Sequence, residues 1–331
     1  MNHEGSIDRA EKLIVSAARG GADGVKFQTY KADLIAIKDS PSYWDLSEEA
    51  TDSQYKLFSK YDSFGSNEYQ RLHNVCVECG VDFLSTPFDL GAVEMLSPYV
   101  PFFKIASADI TNLPLIRKVA ASSKPVVISS GASSLAEIAI AVSELEAGGC
   151  RDICVMHCVL NYPTECDNAN LAMLASIHSS FPDVALGYSD HTKPEPSLSA
   201  LTSSWLLGAK VIEKHFTLDK SLKGNDHYHS MDEMDLINLQ ERFSLLSSLV
   251  GSERVKRPLH SEQLSRVNAR RGIVAKGDLK KGDLLSENNL ICKRPVAGIA
   301  ASNWDAILGA ELLVDLENDQ PITWDLVKLA R

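Results

Sequence analysis

Over the first 250 residues, short apolar runs rich in β-branched residues alternate with stretches whose apolar positions recur every three to four residues. The first helical stretch, 6–20, places Ile7, Ala10, Leu13, Ile14 and Ala17 on one face. An apolar run at Gly24–Thr29 follows, then a long polar loop, a helix near 66–79 and a strand at Val81–Ser85. The same alternation predicts strands at Phe102–Ala106, Pro125–Ser129, Asp152–His157, Val184–Tyr188 and Lys210–Phe216. Helices near 90–97, 113–121, 133–147, 168–180, 197–207 and 231–250 fill the intervals. Strands that alternate with helices in this way pair in parallel, and eight repeats close into a (β/α)8 TIM barrel. Here eight helices stand against seven strands, and the sequence opens on a loop leading into a helix. The pattern predicts an α/β barrel apparently lacking its first strand, with an open seven-stranded sheet as the alternative.

After residue 250 the texture changes. Residues 251–268 (GSERVKRPLHSEQLSRVN) are polar and unpatterned, which predicts a linker. From 269 to 331, short strands such as Gly272–Ala275 surround the turn signals Lys280-Lys-Gly-Asp283 and Pro295-Val-Ala-Gly298. They predict a small β-rich domain.

Composition narrows the classes. Lys and Arg total 33 against 44 Asp and Glu, a formal charge of −11. No dense basic stripe offsets this, so nucleic acid is not the expected partner. No apolar run approaches the roughly 18 residues that span a bilayer, which sets membrane insertion aside. Seven cysteines without a regular framework predict reduced thiols and a cytoplasmic setting.

In a parallel barrel, chemistry gathers at the C-terminal ends of the strands. Those ends carry Lys26-Phe-Gln28, Ser85-Thr86, Lys104 to Asp109, Ser129-Ser130, His157-Cys158, Ser189-Asp190-His191 and Glu213-Lys214-His215. Lysines inside apolar strands are costly to bury unless an anion meets them. Lys26 and Lys104, with Ser and Thr hydroxyls nearby, therefore describe a pocket for a phosphate or carboxylate. His191 and His215 end adjacent strands, and two imidazoles with an open side suit a divalent ion; the alternative is two ordinary histidines. A rival cluster, Asp226-His227-Tyr-His229, lies in a loop, where its period-2 spacing puts both rings on one side and suggests part of a lid.

The strings NHEGS, VKFQTYKAD, FLSTPFD, FKIASADITNLPLI, GYSDHT, VIEKHFTLD and GNDH together resemble the sialic acid synthase family (N-acetylneuraminate synthase and its legionaminate and pseudaminate relatives). The stretch ARRGIVAKGDLKKGDLLSENNLICKRP resembles that family's antifreeze-like SAF domain. The resemblance implies metal-dependent condensation of phosphoenolpyruvate with an N-acyl hexosamine, giving a nonulosonic acid and phosphate. It implies Mn²⁺, with Mg²⁺ or Co²⁺ as alternatives, at His191 and His215. Lys26, Thr86, Lys104, Ser107, Ser129 and Ser189 would cradle phosphoenolpyruvate. Gln28, Tyr162 and Asp226 would face the sugar, and Asp109 would assist proton movement or sugar binding. Arg294 would reach the N-acyl group from the second domain, and in the family it enters the partner subunit's site, implying a domain-swapped homodimer.

Three departures accompany the resemblance. The family's opening strand, with a Glu four residues before the Asn of NHEG, has no counterpart, which predicts an incomplete or impaired site. Leu160 stands where many relatives carry Ser or Asn, and Lys193-Pro-Glu-Pro196 lengthens the segment between His191 and His215. The alternatives are a sugar-phosphate-binding remnant and a class I aldolase with a Schiff base on Lys104; the paired histidines argue against the latter.

Overall fold

The computed structural model describes residues 2–224 and 226–329, so Asn225 of the GNDH string lies outside the described residues. The chain divides into two compact units, Met1–Val250 and Gly251–Arg331.

The first unit contains α1 (Ile7–Arg19), β1 (Gly24–Thr29), α2 (Ala32–Ile35), α3 (Gln54–Tyr61), α4 (Ser66–Cys79), β2 (Asp82–Pro87) and α5 (Leu90–Leu96). It continues through β3 (Phe103–Ile105), α6 (Leu113–Ala120), β4 (Val126–Ser129), α7 (Leu135–Ala147), β5 (Ile153–Cys158), α8 (Cys166–Ala169) and α9 (Met173–Ser180). It ends with β6 (Ala185–Asp190), α10 (Ser199–Leu206), β7 (Val211–Lys214) and α11 (Glu233–Val250). All its ladders are parallel: β1 pairs with β2, and β3 to β7 pair in chain order. This is the α/β, TIM-barrel-like architecture that the alternation of strand and helix predicts. Among the described residues, no ladder joins β2 to β3 or β7 to β1.

Local chemistry explains the helix starts. Ser6 accepts from the Arg9 amide, and Asp89 accepts from the Ala92 amide at 2.8 Å. Ser134 and Glu137 form a reciprocal capping box at α7. The long polar loop after β1 holds two short helices, α2 and α3. Ser53 caps α3 and Asp62 accepts from the Ala32 amide, side-chain contacts that carry no hydrophobic period. The core lies between strands and helices, where Ile14, Phe83, Phe103, Ile105, Ile116 and Val155 are almost fully buried.

Along each strand, alternate residues face opposite sides of the sheet. In β3, Phe103 and Ile105 enter the helix-side core, which leaves Lys104 for the barrel interior. In β1, Phe27 joins that core while Lys26 and Gln28 line the interior cavity.

The second unit holds a 3₁₀ turn and α12 (Gln263–Ala269) within the segment that polarity suggests is a plain linker. Then come β8 (Gly272–Ala275), β9 (Leu290–Lys293), α13 (Trp304–Ile307), β10 (Glu311–Leu312) and β11 (Val327–Lys328). β8 pairs with β9 and β10 with β11, both antiparallel, around Ile273, Leu285, Ile307 and Ile322.

Candidate active site

A cavity of about 1210 Å³ occupies the interior of the first unit. Its lining includes Lys26, Gln28, Thr86, Lys104, Ser107, Asp109, Ser129, Tyr162, Ser189, His191, His215 and Asp226. All the site residues expected in the first unit therefore line the same cavity. Arg294 belongs to the second unit, where it is exposed just beyond β9.

On one side of the cavity the polar groups pair with each other. Lys104, only 3% exposed, donates to Ser129 Oγ at 2.6 Å and to the Ile105 carbonyl at 3.1 Å. Lys26 donates to Thr86 Oγ1 at 3.4 Å. Both ammonium groups lie 3.9 Å from the Glu213 carboxylate, which also accepts from Ser189 Oγ at 3.0 Å. Burial opposes the charge on Glu213, but Lys104 and Lys26 overcome it and hold the carboxyl down to about 2. Burial lowers the Lys104 pKa, with Glu213 acting in the opposite direction. Two cations thus share one carboxylate, leaving an excess positive charge among hydroxyls.

Sequence reasoning placed Glu213 at a strand end without giving it a role. Its signal was a carboxylate two residues before His215 on one strand, which sends both side chains to the same face. Lys214, of opposite parity, turns instead to Asp190 at 2.6 Å and to the Thr192 carbonyl. Asp190 also accepts from Tyr188 Oη at 2.9 Å, so this buried pair braces the strand ends.

Backbone geometry fixes the hydroxyl of Ser107, which accepts from the Gly131 amide at 2.9 Å. A Cβ at position 131 would come within 2.8 Å of Ser107 Oγ, so only glycine permits this approach. Asp109, half-buried and bonded to Asn112 Nδ2 at 2.9 Å, has its pKa raised by burial.

The other side of the cavity is built from rings. The His191 ring lies 5.3 Å from that of His215, which lies 5.0 Å from that of His229; Tyr162 packs over His191 at 4.2 Å. His191 Nδ1 donates to the Val159 carbonyl at 2.7 Å, which fixes the ring and leaves Nε2 unused by that bond. Burial opposes its charge, but Cys158 and the Val159 carbonyl overcome it and raise the His191 pKa. His215 Nδ1 is 3.6 Å from Asp226 Oδ2. Ligand atoms of His215, Asp226 and His229 all lie within 4.8 Å of one another. Burial lowers His215 despite Asp226, and lowers His229 to about 3. Asp226 is held well below the usual carboxylate range, because positive charge around it, His215 included, outweighs its burial. For His215 and His229, lowered imidazoles beside a carboxylate that stays ionised are the protonation states that a divalent cation requires.

The 226–229 segment differs from the open lid that its loop position suggests. Asp226, His227 and His229 are all buried. The segment is a turn rather than an extended strand, so its two histidines do not share surroundings. His227 lies 2.7 Å from Thr217 Oγ1 and 3.2 Å from Glu4 Oε1. Both nitrogens of His229 lack a hydrogen-bond partner among the described residues. Such orphaned buried nitrogens fit a cation site better than a plain core.

The chain matches the NeuB family over residues 13–255 and the SAF domain over residues 270–328. It is 37% identical to N,N'-diacetyllegionaminic acid synthase of Campylobacter jejuni, covering 97% of this chain and 96% of that protein. Among solved structures, the spore coat polysaccharide biosynthesis protein SpsE of Bacillus subtilis is 31% identical with a TM-score of 0.64, covering 100% of this chain and 93% of the other. The N-acetylneuraminic acid synthetase of Leptospira borgpetersenii, solved with citrate, is 30% identical with a TM-score of 0.70, covering 80% and 86%.

Proposed function

Since the chain belongs to the NeuB family and carries a SAF domain over residues 270–328, we propose that its cavity joins phosphoenolpyruvate to an N-acyl hexosamine with the help of a divalent cation. It is a carbon–carbon bond-forming transferase, and condensation of phosphoenolpyruvate with an amino sugar is its reaction class. The hexosamine would be N-acetylmannosamine or a 2,4-diacetamido-trideoxyhexose, and the cation Mn²⁺, or Mg²⁺ or Co²⁺ in its place. The observation that carries the reading is the excess positive charge where Lys26 and Lys104 share Glu213.

In this reading Lys26 and Lys104 bind the carboxylate and phosphate of phosphoenolpyruvate, with Thr86, Ser107, Ser129 and Ser189 completing the cradle. Gln28, Tyr162 and Asp226 orient the sugar. The methylene carbon of phosphoenolpyruvate forms a bond to the aldehyde carbon, and the aldehyde oxygen takes a proton. Water then adds to the former enol carbon and loses one proton. Phosphate leaves with the electron pair of the C–O bond as the new hydroxyl gives up its proton to become the keto group. Asp109, whose pKa burial raises, would be the group that gives the aldehyde oxygen its proton and takes one back from the water. His191 and His215 would hold a divalent cation, which would supply Lewis-acid polarisation of the aldehyde. Arg294 of a partner copy would meet the N-acyl group, making a domain-swapped homodimer the working unit.

The test is phosphate release from phosphoenolpyruvate with each hexosamine, after chelation and after Mn²⁺ is restored. Release should require the sugar and return only with the cation. Release without sugar, or none with either sugar, would reject the reading. Borohydride trapping of pyruvate on Lys104 would replace it with Schiff-base aldol chemistry.

A further inference from the structure

We propose that His229 is a ligand of the divalent cation held at His215, with Asp226 as the neighbouring carboxylate ligand. This rests on the cation reading above and extends it to a residue outside the strand-end pattern. The His229 ring is wholly buried, and neither nitrogen meets a hydrogen-bond partner among the described residues. A buried ring with two unsatisfied nitrogens is rare in a folded core, and a metal bond satisfies one of them. His227, two residues away in the same turn, shows that the local backbone does not force this outcome, since it meets Thr217 and Glu4.

The geometry fits a cation. Ligand atoms of His215, Asp226 and His229 lie within 4.8 Å of one another, and the His215–Asp226 pair is already at 3.6 Å. Metal bonds of roughly 2.0–2.2 Å place neighbouring ligand atoms about 3.0–3.5 Å apart, so small side-chain rotations close the set. The Asp226 carboxylate disfavours an anion as the missing partner. With His191, whose ring lies 5.3 Å from that of His215, the set becomes three imidazoles and one carboxylate, which suits Mn²⁺ with coordination positions left open. His215 and Asp226 line the cavity whereas His229 is buried away from it, so the open positions face the substrates.

The experiment titrates Mn²⁺ into the chelated full-length protein without substrates, and records electron spin-echo modulation from coordinated imidazole nitrogen. Wild type, His229→Phe, His229→Gln and His215→Ala are compared, with circular dichroism to confirm the fold. His229→Phe should weaken Mn²⁺ binding about 10- to 100-fold and remove one imidazole from the spectrum, and His229→Gln should remove the same signal. If His215→Ala abolishes binding while both His229 variants bind with wild-type affinity and spectrum, the cation reading stands and His229 is not a ligand. If the wild-type protein binds no Mn²⁺, both fall together.

Discussion

On the lysine side of the cavity, every charged group has an answer in the protein: Lys104 meets Ser129, Lys26 meets Thr86, and both approach Glu213. On the ring side, His229 has none. The lysine side folds into a stable arrangement by itself and offers an incoming anion only its surplus charge. The ring side keeps a deficit that a ligand must fill. Pre-pairing lets the first side hold its geometry before substrate arrives, whereas the second draws its order from what it binds.

The most disruptive way to break this comparison is to remove the surplus charge. Lys104→Met should lower the rate of phosphate release by about 10²–10³-fold. Its fold should survive, because Lys26 still stands 3.9 Å from Glu213. A thermal melt near that of the wild type with lost turnover is the expected pair of results. Collapse of the fold would instead mean that the surplus charge is needed for stability.

Removing the shared carboxylate sharpens the comparison in the other direction. Glu213→Gln leaves the buried Lys104 and the half-buried Lys26 ammonium groups without their counter-charge and should cost about 3 kcal/mol. The effect has a pH signature. The folded-state pKa of Glu213 is depressed to about 2, so its contribution is fully present above the ordinary carboxylate range and is lost as the pH falls toward 2. Denaturant melts should therefore show the gap between wild type and variant narrowing through that acid window. A gap independent of pH would show that the glutamate acts by packing alone.

Much of this arrangement was legible in the residues. Apolar periodicity places β1 and α4 at the residues where they occur, and strand parity then sends Lys26, Lys104 and His215 inward. What periodicity could not carry was the partnership of groups distant in sequence. Glu213 gains its meaning from Lys26, 187 positions earlier in the chain. His227 and His229 look alike in sequence, and only the contacts of Glu4 and Thr217 with the first separate them. The α2–α3 segment was missed because short helices held by Asp62 and Ser53 side chains have too few turns to show a hydrophobic face.

The gentlest test asks whether the ring side carries a true deficit. In the chelated protein, wild-type His229 has buried nitrogens without partners, while a phenylalanine ring of similar size would bury none. His229→Phe should thus raise metal-free stability by about 1 kcal/mol, the lower end of the penalty for an unsatisfied buried polar group. Adding Mn²⁺ should reverse the order, because the cation stabilises only the protein that binds it well. Thermal melts of both proteins with and without Mn²⁺ measure the crossing directly. A variant less stable than wild type in the absence of metal would show that His229 already has a partner in the folded protein, and the contrast between the two sides would disappear.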